Sequence, residues 1–158
     1  MAWDDGPGAT IAMWLELALP SLPESAEIGR IAVAVLAGGL PFTLAEIDQL
    51  KVAVDEAIGN CVLHAYPDAP GRVRLRAHLE GMAAIQVEVQ DWGCGIADIA
   101  QARQPAFTTS TDPDHSGLGF AFMEQFTDAL EVESEPGRGT LVRMRKQPQA
   151  VANAAERQ

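Results

Sequence analysis

Basic residues are scarce in this chain. It has 11 lysines and arginines against 22 aspartates and glutamates, a formal charge of −11 over 158 residues. That balance argues against nonspecific binding to nucleic acid or an anionic membrane, since both reward clustered Lys and Arg. Cysteine is scarcer still: Cys61 and Cys94 only, with no Cys-x-x-Cys. The pair reads as reduced thiols, which excludes a disulfide framework or a zinc site. Long hydrophobic runs are absent. The longest, residues 31–42, is interrupted by Gly38, Gly39 and Pro41, and a bilayer span needs about 20 residues. No basic stretch precedes an apolar one at the N-terminus, so a signal peptide is not expected and the reading is cytoplasmic. Aromatics make up only 6% of the chain, and Trp3, Trp14 and Trp92 read as packing groups.

What is present suits one folded unit. Hydrophobic content of 47% with 21% charged residues indicates a globular chain with one sizeable core. The expected domain covers residues 1–146, with 1–8 a loose arm and 147–158 a frayed, disordered tail. Residues 10–19 alternate as a strand. Ser21 with Glu24, or Ser25, offers a cap for a helix running to about Leu36. Thr43-Leu-Ala-Glu46 is a clearer capping box, opening a long helix with Leu44, Ile47, Leu50, Val54, Ile58, Cys61, Val62 and Ala65 as its apolar stripe. Two alternating segments around Glu80-Gly81 form a hairpin, and two more around residues 136–139 form another. Residues 97–104 and 117–126 read as helices, and 105–116 as an aperiodic loop. The order implies an α+β fold, a two-layer sandwich with a mixed or antiparallel sheet covered by helices on one face.

Three short blocks carry chemistry. Glu56 and Asn60 stand four apart on one face of the long helix. The Asn60 amide oxygen suits Mg²⁺, which takes few protein ligands, and Glu56 could accept a proton from an attacking hydroxyl. Asp91 ends an apolar strand and is followed by Gly93 and Gly95. Its carboxylate can accept a hydrogen bond from an exocyclic amine such as that of adenine, and the glycines permit close backbone approach. Gly117 and Gly119 open a helix after the loop, where N–H groups and the helix dipole favour phosphate. Each block alone has an ordinary explanation: a solvated helix face, an Asp/Gly turn, a loop-to-helix junction. Their joint presence is the signal.

In order and spacing the blocks resemble the GHKL (Bergerat-fold) ATPases, and among them the bacterial anti-sigma-factor serine kinases of the sporulation type. Residues 55–66, 89–96, 102–109 (Ala-Arg-Gln-Pro-Ala-Phe-Thr-Thr) and 116–126 carry the likeness, with Gly139-Thr140 after them. The 102–109 block is specific to this subgroup. The resemblance implies ATP and Mg²⁺ as cofactors and Glu56 as general base. Asn60 would bind the metal, and Asp91 would hold the adenine amine with Gly93, Gly95, Ile96 and Thr140 around it. Thr108, Thr109, Ser116, Gly117, Leu118, Gly119 and Phe120 would form the lid and phosphate cradle. Arg30 matches the arginine that contacts both a sigma F-like factor and an anti-anti-sigma protein, whose serine such kinases phosphorylate. Homodimers are implied too. One position departs from the pattern: His115 stands where sporulation members carry an arginine, and a histidine is shorter and mostly neutral at pH 7. The alternative is a non-catalytic ATP-binding partner-switching module. A histidine kinase needs a phosphoacceptor histidine on a preceding helix, and none occurs before residue 50.

Overall fold

The computed structural model describes residues 13–105 and 117–155. Five strands form one sheet in the order β1-β2-β3-β5-β4, comprising β1 (Trp14–Pro20), β2 (Arg72–Glu80), β3 (Ala84–Asp91), β4 (Ala129–Glu135) and β5 (Gly139–Lys146). Every pairing is antiparallel, so the sheet is not mixed. Two hairpins, β2–β3 and β4–β5, account for half of the pairings, and β3 meets β5 at the centre.

Period-two alternation divides the sheet into a dry face and a wet face. Val73, Leu75, Ala77 and Leu79 of β2, Ile85, Val87 and Val89 of β3, and Val142 and Met144 of β5 are all buried. On the opposite face the charges pair across strands: Arg76 with Glu16, Arg143 with Glu88 and Glu133, and Arg145 with Glu80.

Helices cover the dry face. α1 (Pro23–Ala37) packs on α2 (Leu44–Asn60), and α2 packs on α4 (Gly119–Phe126). The stripe of α2 supplies Leu50, Val54, Ile58 and Cys61 to the core, but Leu44 in its first turn is 82% exposed. The capping box is formed as the sequence predicts. Thr43 Oγ1 accepts from the Glu46 amide, and Glu46 accepts from the Thr43 amide at 2.8 Å.

The start of α1 differs from expectation. Its N-cap is Leu22, Pro23 occupies the first turn, and no side chain caps it. Both serines are used elsewhere. Ser25 Oγ donates to the Pro20 carbonyl at 2.6 Å, and Ser21 Oγ accepts from the Gly71 amide at 2.9 Å. Ser21 ties the end of β1 to the approach of β2, and Ser25 ties the start of α1 back to the end of β1.

Two features have no counterpart in the sequence pattern. The last turn of α2 widens into a π-helical segment, Cys61–Ala65. And where a frayed tail is expected, residues 149–155 form a short helix, α5 (Gln149–Ala155). Its amides at Val151 and Ala152 reach the Pro148 carbonyl, and the Gln149 amide donates to Glu46 Oε1 at 2.7 Å. A buried proline and a carboxylate from α2 therefore anchor it. The short helix α3 (Ile99–Ala102) is capped by Asp98, whose Oδ1 accepts from the Gln101 amide at 2.9 Å. It occupies part of the expected 97–104 span.

Candidate active site

Glu56 and Asn60 lie on the last two turns of α2, both partly buried. Opposite them is the first turn of α4. A Cβ placed on Gly119 would lie 2.9 Å from Glu56 Oε2, 3.6 Å from Asn60 Oδ1 and 3.7 Å from Asn60 Nδ2. The first and third blocks thus face each other, with room made by the missing side chain. Among the described residues no side chain caps the α4 N-terminus, where Leu118 is the N-cap, and Gly117 precedes it at φ 69°. Such an end, with its dipole, attracts anions. Phe120 differs from its neighbours: its side chain is in the hydrophobic core, so only its backbone is left to offer a ligand.

Asp91 ends β3 and is 4% exposed. Its Oδ1 accepts from the Gly93 amide at 2.9 Å and from the Thr140 amide at 3.2 Å. Its Oδ2 takes the Cys61 thiol at 3.5 Å. Burial pushes the carboxyl above its ordinary range, against the opposing pull of the Gly93, Cys61 and Thr140 hydrogen bonds. Burial also drives the Cys61 thiol well up, and the nearby Asp91 charge adds to that, so the sulfur stays protonated.

The glycine turn after Asp91 is fixed by contacts between backbone segments. A Cβ on Gly93 would overlap the Ala65 carbonyl, which accepts from the Cys94 amide at 2.8 Å. Gly95, at φ 72°, would overlap the Glu135 carbonyl, and Gly139, at φ 97°, the Asp91 carbonyl. The Ile96 amide is held by Ser134 Oγ at 2.8 Å, which itself donates to the Gly139 carbonyl at 2.9 Å. Ser134 Oγ also meets Thr140 Oγ1 at 2.8 Å. Ile96 therefore has its amide committed and its side chain against the core.

The structure thus gathers Glu56, Asn60, Asp91, Gly93, Gly95, Ile96, Thr140 and Gly117 to Phe120 around the junction of α2, β3 and α4. Thr108, Thr109, His115 and Ser116 lie outside the described residues. Arg30 belongs to another place, the outer part of α1. It is half-buried, its Nε has no hydrogen-bond partner among the described residues, and its Nη2 lies 3.7 Å from Glu27 Oε1.

Sequence reasoning missed three participants. Cys61 reaches Asp91, and Ser134 locks the glycine turn. The Tyr66 hydroxyl donates to the Arg72 carbonyl at 2.5 Å and accepts from the Trp92 amide at 2.8 Å. Only Cys61 left a signal, as the residue next to Asn60 on the buried side of the helix. Trp92 is no packing group: it is exposed, and the Arg72 guanidinium lies 4.0 Å over its ring.

The donor set fits a metal-bound nucleotide. A carboxamide and a carboxylate oxygen, both hard ligands, meet at an uncapped helix start. Among the described residues no three His, Cys, Asp or Glu side chains cluster as a metal cage. No helix among them is long and apolar enough to cross a membrane.

The chain is similar to several known proteins. Residues 19–146 match the model of the histidine kinase-like ATPase domain. An anti-sigma F factor of Thermoanaerobacter sp. (strain X514) is 44% identical over 132 residues, spanning 84% of this chain and 92% of that protein. An anti-sigma F factor of Pasteuria penetrans is 39% identical over 142 residues, covering 89% and 95%. Among solved structures, the mycobacterial sensor histidine kinase MprB superposes with a TM-score of 0.54 at 18% identity, covering 84% of this chain and 97% of that one. The histidine kinase domain of an Erythrobacter litoralis blue-light activated kinase gives 0.53 at 19% identity, over 85% and 64%. At such identities these two report the fold alone.

Proposed function

Because this chain belongs to the histidine kinase-like ATPase domain family, we propose that it is an anti-sigma factor that phosphorylates a serine of an anti-anti-sigma protein with Mg-ATP. The observation that carries this is the meeting of Glu56 and Asn60 with the glycine-opened start of α4, beside the buried acceptor Asp91. Relatives named anti-sigma F factors, matched over nearly their whole length, supply the cellular role.

Bound Mg-ATP supplies the phosphoryl group. Asn60 would hold the metal through its amide oxygen. Asp91 accepts the adenine amine at Oδ2, since two amides occupy Oδ1. The backbone of residues 117–120 would cradle the phosphates, and the resemblance adds Thr108, Thr109 and Ser116. Glu56 takes the proton from the attacking serine hydroxyl, the step for which a pure binding module has no use. The partner surface is α1. Arg30 stands there among Ile28, Ile31 and Val35, which are 50%, 51% and 74% exposed at helical spacing. The protein acts as a homodimer, as its resemblance to the sporulation kinases implies.

Radiolabelled Mg-ATP with candidate anti-anti-sigma proteins tests the reading. The wild type should label a serine of one candidate, and Glu56→Gln should lower transfer by at least 10²-fold with ATP affinity within about twofold. Full transfer by Glu56→Gln removes Glu56 from its role. One observation favours a second reading, a non-catalytic ATP-binding switch: His115 stands where the resembling kinases carry arginine. ATP binding without labelling of any candidate decides for that switch.

A further inference from the structure

We propose that Cys61 is a positioning residue for base recognition, its thiol holding the second oxygen of Asp91 in the orientation that accepts an exocyclic amine. The inference rests on the nucleotide reading above and adds a determinant of its selectivity.

Two amides from the glycine turn and from β5 occupy Oδ1. Among the described residues, Oδ2 has one donor, Cys61 Sγ at 3.5 Å. The thiol has one proton and two acceptors within reach, the other being the Ala57 carbonyl at 3.4 Å. An ionised carboxylate is the stronger acceptor of the two. Cys61 is 5% exposed, and a thiol carries the proton it needs to donate. A thiol is a weak donor. It can fix the plane of the carboxylate while leaving Oδ2 with capacity for a stronger N–H. With that donor removed, the carboxylate keeps only its Oδ1 anchors and can pivot about them.

The test separates holding the carboxylate from filling space. Dissociation constants are measured by calorimetry for Mg-ATP and for Mg-purine riboside triphosphate, which is ATP without the amine. The proteins are the wild type, Cys61→Ala and Cys61→Ser. The wild type should prefer ATP. Cys61→Ala should shrink that preference about 3- to 10-fold, the range of one hydrogen bond. Cys61→Ser, which restores a donor, should return it to within about twofold of the wild type. If Cys61→Ala does not fold, Cys61→Val keeps apolar volume without a donor and should give the same shrinkage. Equal loss of both nucleotides, with the preference intact, means that Cys61 only packs and overturns the inference. A wild type that binds both nucleotides equally, or neither, overturns the role of Asp91 itself and the inference with it.

Discussion

At the residue scale, the site depends on atoms that are absent as much as on those present. Gly139 and Gly137 share the β4–β5 turn and both have positive φ, 97° and 80°. They differ in surroundings: a Cβ on Gly139 would overlap the Asp91 carbonyl, and one on Gly137 would meet nothing within 4 Å. Gly137→Ala should therefore cost only backbone strain, about 1–2 kcal/mol. Gly139→Ala must also displace the end of β3, so chemical denaturation should show a loss at least about 1 kcal/mol larger. ATP affinity should fall for Gly139→Ala alone. Residue-level chemistry was the most legible part of the sequence. Asp91, Gly93, Gly95 and the Glu56/Asn60 pair could be named because their spacing follows from one helix and one strand end. Cys61 and Ser134 could not, because their partners lie 30 and 38 residues away along the chain.

At the scale of elements, local signals served where they had no competitor. Thr43 and Glu46 formed the predicted cap, whereas Ser21 and Ser25, equally good caps on paper, were drawn to the Gly71 amide and the Pro20 carbonyl. The π turn after Asn60 leaves no periodicity to read, since it shifts the phase by a single residue over five. α5 lacks an apolar stripe and depends on Glu46, whose 2.7 Å bond to Gln149 spans 103 positions. That carboxylate serves two helices. Burial alone would raise its pKa, but the hydrogen bonds from Thr43 and Gln149, with Lys146 nearby, hold it below the ordinary range. A lowered carboxyl adds stability that is present above its unfolded value and lost as pH falls through its folded one. Urea denaturation should therefore find Glu46→Gln less stable than wild type by about 1–2 kcal/mol at pH 7. The gap should narrow on acidification below about pH 4.3, where the wild-type carboxyl also becomes neutral. A gap unchanged between pH 7 and that range would remove the charge from the explanation.

For the whole molecule, the two faces of the sheet divide the labour. The wet face neutralises itself through the pairs of Arg76, Arg143 and Arg145, so it presents little net charge to a partner. The helical face carries the candidate site at the junction of α2, β3 and α4, and α1 packs on α2. On the proposed function, catalysis and partner capture would use different helices. Arg30→Glu should weaken capture of the sigma factor at least about tenfold, the scale of losing one charged anchor at an interface, with ATP affinity unchanged. Pull-down beside calorimetry on one preparation checks both. Equal loss of nucleotide would show that the two surfaces are not separate.

Around Asp91, three stretches of main chain touch one another with no side chain between them: Gly93 on the Ala65 carbonyl, Gly95 on that of Glu135, and Gly139 on that of Asp91. A cleft walled in this way keeps its shape whatever residues decorate it. Trp92, Cys94 and Arg138 stand between or beside those glycines, pointing into exposed positions. None of the three main-chain contacts runs through their side chains, so a change of side chain there leaves those walls in place, and it is there that a descendant of this chain can acquire new recognition.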